Sequence, residues 1–70
     1  MKRDDILDAN APDWKIEARR KMEKRMIFIV VNWKNAHDWH FSTEVALELN
    51  YTFRNFPDES KALFEPKTKS

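Results

Sequence analysis

His37 and His40 are three residues apart, and Glu44 follows four residues after His40. On a helix such residues lie side by side, so two imidazoles can share one metal ion. Zinc sites need three or four good ligands, however, and the chain has no cysteine and no third histidine. We therefore expect neither a metal nor a cofactor, and we interpret both histidines as loop or surface residues flanked by Trp39 and Phe41.

The side chains that could support catalysis are equally few. Without cysteine there is no thiolate nucleophile, and without glycine there is no glycine-rich loop to hold a phosphate group. Ser42 stands two residues before Glu44 and is better explained as a helix cap than as a nucleophile. The carboxylate pair Asp58–Glu59 lies in a polar segment that we expect to be solvated, which does not favour acid–base catalysis. The sequence predicts a protein that is not an enzyme.

The length of the chain limits how much core it can form alone. Seventy residues make one domain at most, and below about 70–80 residues a single core rarely supplies more than about 3–5 kcal/mol. This chain has no disulfide, yet it contains three Trp, five Phe and one Tyr. So many large apolar side chains in so small a chain predict burial against another chain, as a homodimer or with a protein partner.

The charges balance overall but not along the chain. The formal net charge is +1, whereas residues 14–25 carry six basic and two acidic side chains. A basic helix can lie on phosphates, so nucleic acid is a possible partner through residues 15–25. The apolar run Met26–Val31 is far shorter than the roughly 20 residues that span a bilayer. With no secretory signal either, we expect a soluble cytoplasmic protein with no membrane partner.

Apolar residues recur at helical spacing from residue 14 onward. Asn10 and Pro12 are typical of a helix start, and the positions between the apolar residues are mostly charged as far as Arg25. Residues 26–33 are ambiguous, because four of the eight are β-branched and favour strands. The apolar stripe, with steps of three and four residues, consists of Trp14, Ala18, Met22, Met26, Ile29 and Trp33.

The second half of the chain fits two patterns. Ser42 and Glu44 resemble a helix start, and Pro57 a stop. Between residues 39 and 54, however, odd positions are apolar (except Thr43) and even positions are polar or alanine, as in a strand. We favour a helix, because a 15-residue strand is unusually long and because tight hairpins of small proteins commonly use glycine, which is absent here.

These patterns together predict a mainly α fold. We expect an αα-hairpin with a long helix over about residues 12–37, a second helix over about 43–56 and a short C-terminal turn, assembled as a dimer. The alternative is an α+β fold in which a helix is followed by a β-hairpin. In the predicted domain organisation, residues 1–11 form a polar N-terminal arm, residues 12–65 a single small helical domain and residues 66–70 a frayed tail.

The predicted function is non-enzymatic binding to another protein, by a small regulator, adaptor or inhibitor that forms a homodimer and binds no small-molecule substrate. A glycine-free, densely charged chain of this length is compatible with a protein encoded by a mobile element. The alternative is a small basic helical transcription regulator that binds nucleic acid. For self-association we select apolar residues, namely Ile27, Ile29, Val31, Trp33, Leu49 and Phe53. For the partner surface we select aromatic and basic residues, namely Trp14, Arg19, Arg20, Lys24 and Trp39.

Overall fold

The computed structural model describes residues 5–34 and 36–67. Within them the chain forms a four-stranded mixed β-sheet with two α-helices packed against one of its faces. The elements, in chain order, are β1 (Asp5–Asp8), α1 (Trp14–Glu23), β2 (Phe28–Val31), α2 (Ala36–Glu48), β3 (Tyr51–Phe56), a 3₁₀ turn (Pro57–Glu59) and β4 (Lys61–Pro66).

This α+β fold shows that the predicted αα-hairpin is wrong. The expected long helix over residues 12–37 ends at Glu23, and β2 occupies its second half. The expected second helix over residues 43–56 divides into the end of α2 and the whole of β3. In place of a short C-terminal turn the chain forms β4. The alternative α+β prediction is closer to the observed fold, since a β-hairpin does follow a helix. That hairpin consists of β3 and β4 and follows α2.

The ends of the chain are only partly described. The expected polar arm contributes β1, whose residues Asp5–Asp8 pair with β2. Pro66 ends β4, and the backbone N–H of Lys67 donates to the Asn50 carbonyl at 3.1 Å. Residues 1–4 of the expected arm and 68–70 of the expected frayed tail lie outside the described residues.

The sheet topology places both helices on the same side. The strand order is β1-β2-β4-β3; β1 and β2 are parallel, and β4 is antiparallel to both of its neighbours. Connections between parallel strands of one sheet are nearly always right-handed, and two such connections that advance in the same direction bring their helices to one face. The resulting single core consists of Ala9, Trp14, Ala18, Met22, Phe28, Val30, Val45, Ala46, Tyr51, Ala62 and Phe64.

Residues other than glycine occupy the turns that need a positive φ. Both helices end before a residue in the left-handed region, Arg25 at φ 60° and Asn50 at φ 60°, while Asn32 follows β2 at 59° and Ser60 closes the β3–β4 hairpin at 52°. Asparagine adopts this conformation more readily than most residues because its short side chain forms local hydrogen bonds. The absence of glycine therefore did not exclude a hairpin, which is why the mainly α prediction was wrong.

The end of α1 is the most constrained of these turns. The N–H groups of Arg25 and Met26 donate to the carbonyls of Met22 and Lys21, both at 3.0 Å, which is the Schellman pattern. A left-handed arginine costs about 1 kcal/mol relative to glycine. Long-range contacts compensate, because the Arg25 guanidinium donates to the Leu49 carbonyl at 2.6 Å.

Tyr51, the first residue of β3, is buried beneath this turn. Its hydroxyl donates to the Met26 carbonyl at 2.5 Å, and the Lys21 carbonyl lies 3.3 Å away. The Arg25 guanidinium carbon lies 5.1 Å from the centre of the Tyr51 ring. Burial raises the pKa of Tyr51 to about 12, although the positive charge of Arg25 acts in the opposite direction. One phenol thus joins the end of α1 to the beginning of β3.

We expect Tyr51 to titrate near pH 12 in the folded protein. Because the folded-state pKa is above the ordinary value of 10.0, the corresponding stability is fully present below pH 10 and is lost as the pH rises towards 12. Tyr51 is the only tyrosine, so the ultraviolet absorbance of tyrosinate measures this group directly. A midpoint near 10 in the folded protein would contradict the buried placement.

The Tyr51→Phe variant should be less stable by about 1–2 kcal/mol at neutral pH, since the Met26 carbonyl loses its partner.

We expect Ser42→Ala to leave the protein as stable or to stabilise it by up to about 1 kcal/mol. Ser42 is fully buried in the middle of α2, so it is not the helix cap that the sequence suggested. Its hydroxyl has no hydrogen-bond partner among the described residues. Removing an unpaired polar group from a core therefore breaks no hydrogen bond. Thermal unfolding measures the effect. A loss above about 1 kcal/mol would show that the hydroxyl does have a partner.

Candidate interaction surface

The two faces of the sheet differ in what covers them. Phe28, Phe64 and Phe53 are neighbours across three strands, and their side chains pack in the layer beneath the helices. The next residues along these strands point to the opposite face, because side chains alternate along a strand. No helix covers that second face within the described part of the chain. We call it the open face.

The middle of the open face is apolar. One row of neighbouring residues crosses all four strands as Ile6, Ile29, Leu63 and Arg54. Ile6 is 67% exposed, and Ile29 and Leu63 are partly exposed. The second row across the open face consists of Asp8, Val31, Lys61 and Phe56.

Strand β2 is apolar on both of its sides. Phe28 and Val30 are fully buried beneath the helices, while Ile29 and Val31 face the other way and keep part of their surface exposed. A continuous apolar run of this kind is typical of strands that are covered on both faces. A strand with one solvated face normally alternates apolar and polar residues. The composition of β2 is therefore that of a strand covered on both faces, whereas the described helices cover only one of them.

The charges around this apolar centre are balanced. Two acidic residues, Asp8 and Glu65, and two basic residues, Arg54 and Lys61, belong to the strand positions of the open face. The side-chain amide of Asn32 donates to the Asp8 carboxylate at 2.9 Å and, with the N–H of Asn10, lowers the pKa of Asp8. Asp8 is therefore a carboxylate throughout the neutral range. The rim favours neither a strongly acidic nor a strongly basic partner.

The residues selected from the sequence for self-association fall on both sides of the sheet. Ile29 and Val31 lie on the open face, and the partly buried Ile27 immediately precedes β2. The other three, Trp33, Leu49 and Phe53, are partly buried and pack against the core. Sequence spacing did not identify Ile6 or Leu63, because neither belongs to the helical stripe. Strand register is the signal that groups them.

The residues selected for the partner surface are also divided. Trp14 is only 4% exposed and belongs to the core, with its ring 5.3 Å from that of Trp33 and 5.6 Å from that of Phe41. Arg20 is exposed and Arg19 partly exposed on α1, and Lys24 is exposed immediately after the helix. Trp39, on α2, is 40% exposed.

Most basic side chains of residues 15–25 form salt bridges or hydrogen bonds within the protein. Salt bridges connect Lys15 to Asp38 (3.4 Å), Arg19 to Glu48 (3.4 Å), Arg20 to Glu17 (3.6 Å) and Lys21 to Asp5 (2.7 Å). Arg25 binds backbone carbonyls, as described above. Lys24 has no such partner among the described residues. The positive charge that the sequence concentrates in residues 15–25 is thus largely neutralised locally.

The histidines and carboxylates form no metal-binding cluster in the described residues. Residues 5–34 and 36–67 contain no group of three histidine, aspartate or glutamate side chains that could hold a metal ion. His37 and His40 are exposed on the first turns of α2, where the ring of His40 lies 6.1 Å from that of Trp39. Glu59 pairs with Lys61 at 2.9 Å.

Comparisons with known proteins add no functional assignment. No protein-family model, no curated protein and no solved structure matches the chain. Both helices of the described residues are too short and too polar to cross a bilayer.

Proposed function

We propose that the protein is a small non-enzymatic binding protein that acts as a homodimer, in which the open faces of two copies cover each other. One observation carries the proposal: β2 is apolar on both sides, but only one side is covered by helices. Burial of apolar area contributes about 25 cal/mol per Å², so a second layer over Ile6, Ile29 and Leu63 stabilises the protein directly.

A second copy is the occupant that the rim charges favour. A two-fold axis brings the same patch of both copies together, so that patch must not repel itself. Two acidic and two basic residues around an apolar centre satisfy this condition. Sheets that pack face to face keep their strands within about 30° of each other, which lets the row Ile6–Ile29–Leu63 of one copy pack on the same row of its partner.

The size of the open face limits the strength of the dimer. Four strands spaced about 4.8 Å apart and four to six residues long give a footprint of roughly 300 Å². A typical stable interface buries about 800 Å² of each partner. We therefore expect a reversible dimer, whose population depends on protein concentration. Reversibility suits a regulator, adaptor or inhibitor of the cytoplasm that exchanges between partners.

The competing function, nucleic-acid binding through residues 15–25, receives less support from the geometry. Phosphate contacts need cationic side chains that are free to reach the backbone of the nucleic acid. Here Lys15, Arg19, Arg20 and Lys21 are in salt bridges and Arg25 binds carbonyls. We propose protein binding because the open face needs an apolar partner.

Ile6→Lys should weaken the dimer about tenfold or more, because the lysine places a charge within an apolar contact. Folding should not change, since Ile6 is already 67% exposed. Sedimentation equilibrium over a range of concentrations measures the shift between the 8.5 kDa monomer and a species of twice that mass. The matched control is Leu47→Lys on α2, at a leucine that is 73% exposed on the helical side.

Two results would contradict this proposal. One is a wild-type chain that remains a monomer at all concentrations. The other is a Leu47→Lys variant in which association is weakened as much as in Ile6→Lys. An apolar interface also predicts an association constant that changes little with salt, whereas a charge-driven contact would weaken steeply.

A further inference from the structure

Strand β3 is a free edge of the sheet. It pairs with β4 on one side, in a continuous register from Tyr51 to Phe56, and with no other strand among the described residues. Alternate residues of an edge strand direct their N–H and C=O groups away from the sheet, where they can pair with another chain. The opposite edge, β1, has four residues and begins and ends with an aspartate, features that discourage pairing.

An exposed aromatic side chain lies beside this edge. The C-terminal end of α2 leads directly into β3, and the helix packs beside the strand. There the ring of Trp39 contacts Phe53 edge-on, with centroids 5.9 Å apart. Phe53 in turn lies 5.0 Å from Phe64 and 6.0 Å from Trp33, so the contact extends into the core. Trp39 is thus held firmly while 40% of its surface remains exposed.

A cation lies on the other side of the same strand. Arg54 follows Phe53, so its side chain points to the open face. This side chain is exposed, and its guanidinium forms neither a hydrogen bond nor an ion pair with any described residue. By contrast, most of the arginines and lysines of α1 are engaged. The β3 edge therefore offers aromatic surface on one side, an unpaired guanidinium on the other and free backbone groups between them.

We propose that the β3 edge binds an extended segment of a partner protein in which apolar and acidic residues alternate. The segment adds a fifth strand, and its backbone pairs with the outward N–H and C=O groups of β3. Side chains of an added strand alternate between the two faces of the sheet. Apolar residues then contact Trp39 and Phe53, and acidic residues face Arg54. The segment lies in the plane of the sheet, whereas the second copy proposed above lies over the open face, so the two can bind together.

The test uses the full-length ¹⁵N-labelled chain and a capped heptapeptide of alternating valine and glutamate. On binding, we expect backbone amide signals of Tyr51–Phe56 and the indole N–H signal of Trp39 to shift, while those of β1 remain unchanged. A matched heptapeptide of valine and lysine should bind about fivefold more weakly. Arg54→Glu should reverse this preference. Lys24→Glu, an identical charge change at the exposed lysine that follows α1, should leave the preference as in the wild type.

Several outcomes would overturn the strand-addition site. The absence of shifts up to millimolar peptide would exclude it. Shifts centred on Ile6, Ile29 and Leu63 would assign the peptide to the open face instead. An unchanged preference in Arg54→Glu would show that Arg54 does not select the segment. If the guanidinium only prevents copies from pairing edge to edge, Arg54→Ala should aggregate through β3, and the peptide should show no preference for glutamate.

Discussion

The placement of both helices on one face of the sheet is the constraint on which the rest of the structure depends. Two parallel connections, β1-α1-β2 and β2-α2-β3, advance in the same direction across the sheet, and their common handedness brings α1 and α2 to the same side. Phe28 and Val30 are buried as a result, and Ile29 and Val31 are left with partial exposure. No helix of the described residues covers that second face, and this is why we propose a second copy as its cover.

The small size of the core also explains the junction around Tyr51. A small core has few contacts to fix the ends of its helices, and a chain without glycine must place ordinary residues at positive φ. Arg25 adopts this strained conformation, while its guanidinium and the Tyr51 hydroxyl bind carbonyls at the ends of α1 and α2. Carbonyl groups at the ends of both helices thereby accept hydrogen bonds from side chains distant in sequence. Local strain is tolerated because it allows these long-range hydrogen bonds.

Sequence patterns identified some of these features and obscured others. The stripe Trp14, Ala18 and Met22 does form the buried side of α1, because its spacing matches one helix face. The same four-residue step continues to Met26 across the turn at Arg25, which made one long helix plausible. The alternation from Trp39 to Phe53 has a similar origin, since α2 passes into β3 at Asn50 without disturbing the apolar sequence. Asn32 and Asn50 were the available signals of chain reversal. The open face could not be derived from either pattern, because it depends on the register between strands that are far apart in sequence.

The open face and the β3 edge suit different occupants for physical reasons. The open face offers apolar area, and only a partner that is itself broad and flat can bury this area. A second sheet of the same shape meets that requirement. The β3 edge offers directional backbone hydrogen bonds, which a single extended strand can satisfy. In the proposed face-to-face dimer the β3 edge of each copy stays free, so the dimer would carry two of the proposed edge sites. A partner with two suitable segments would bind such a dimer with an effective concentration set by its linker, and the proposed weak dimer and weak peptide site would then reinforce each other.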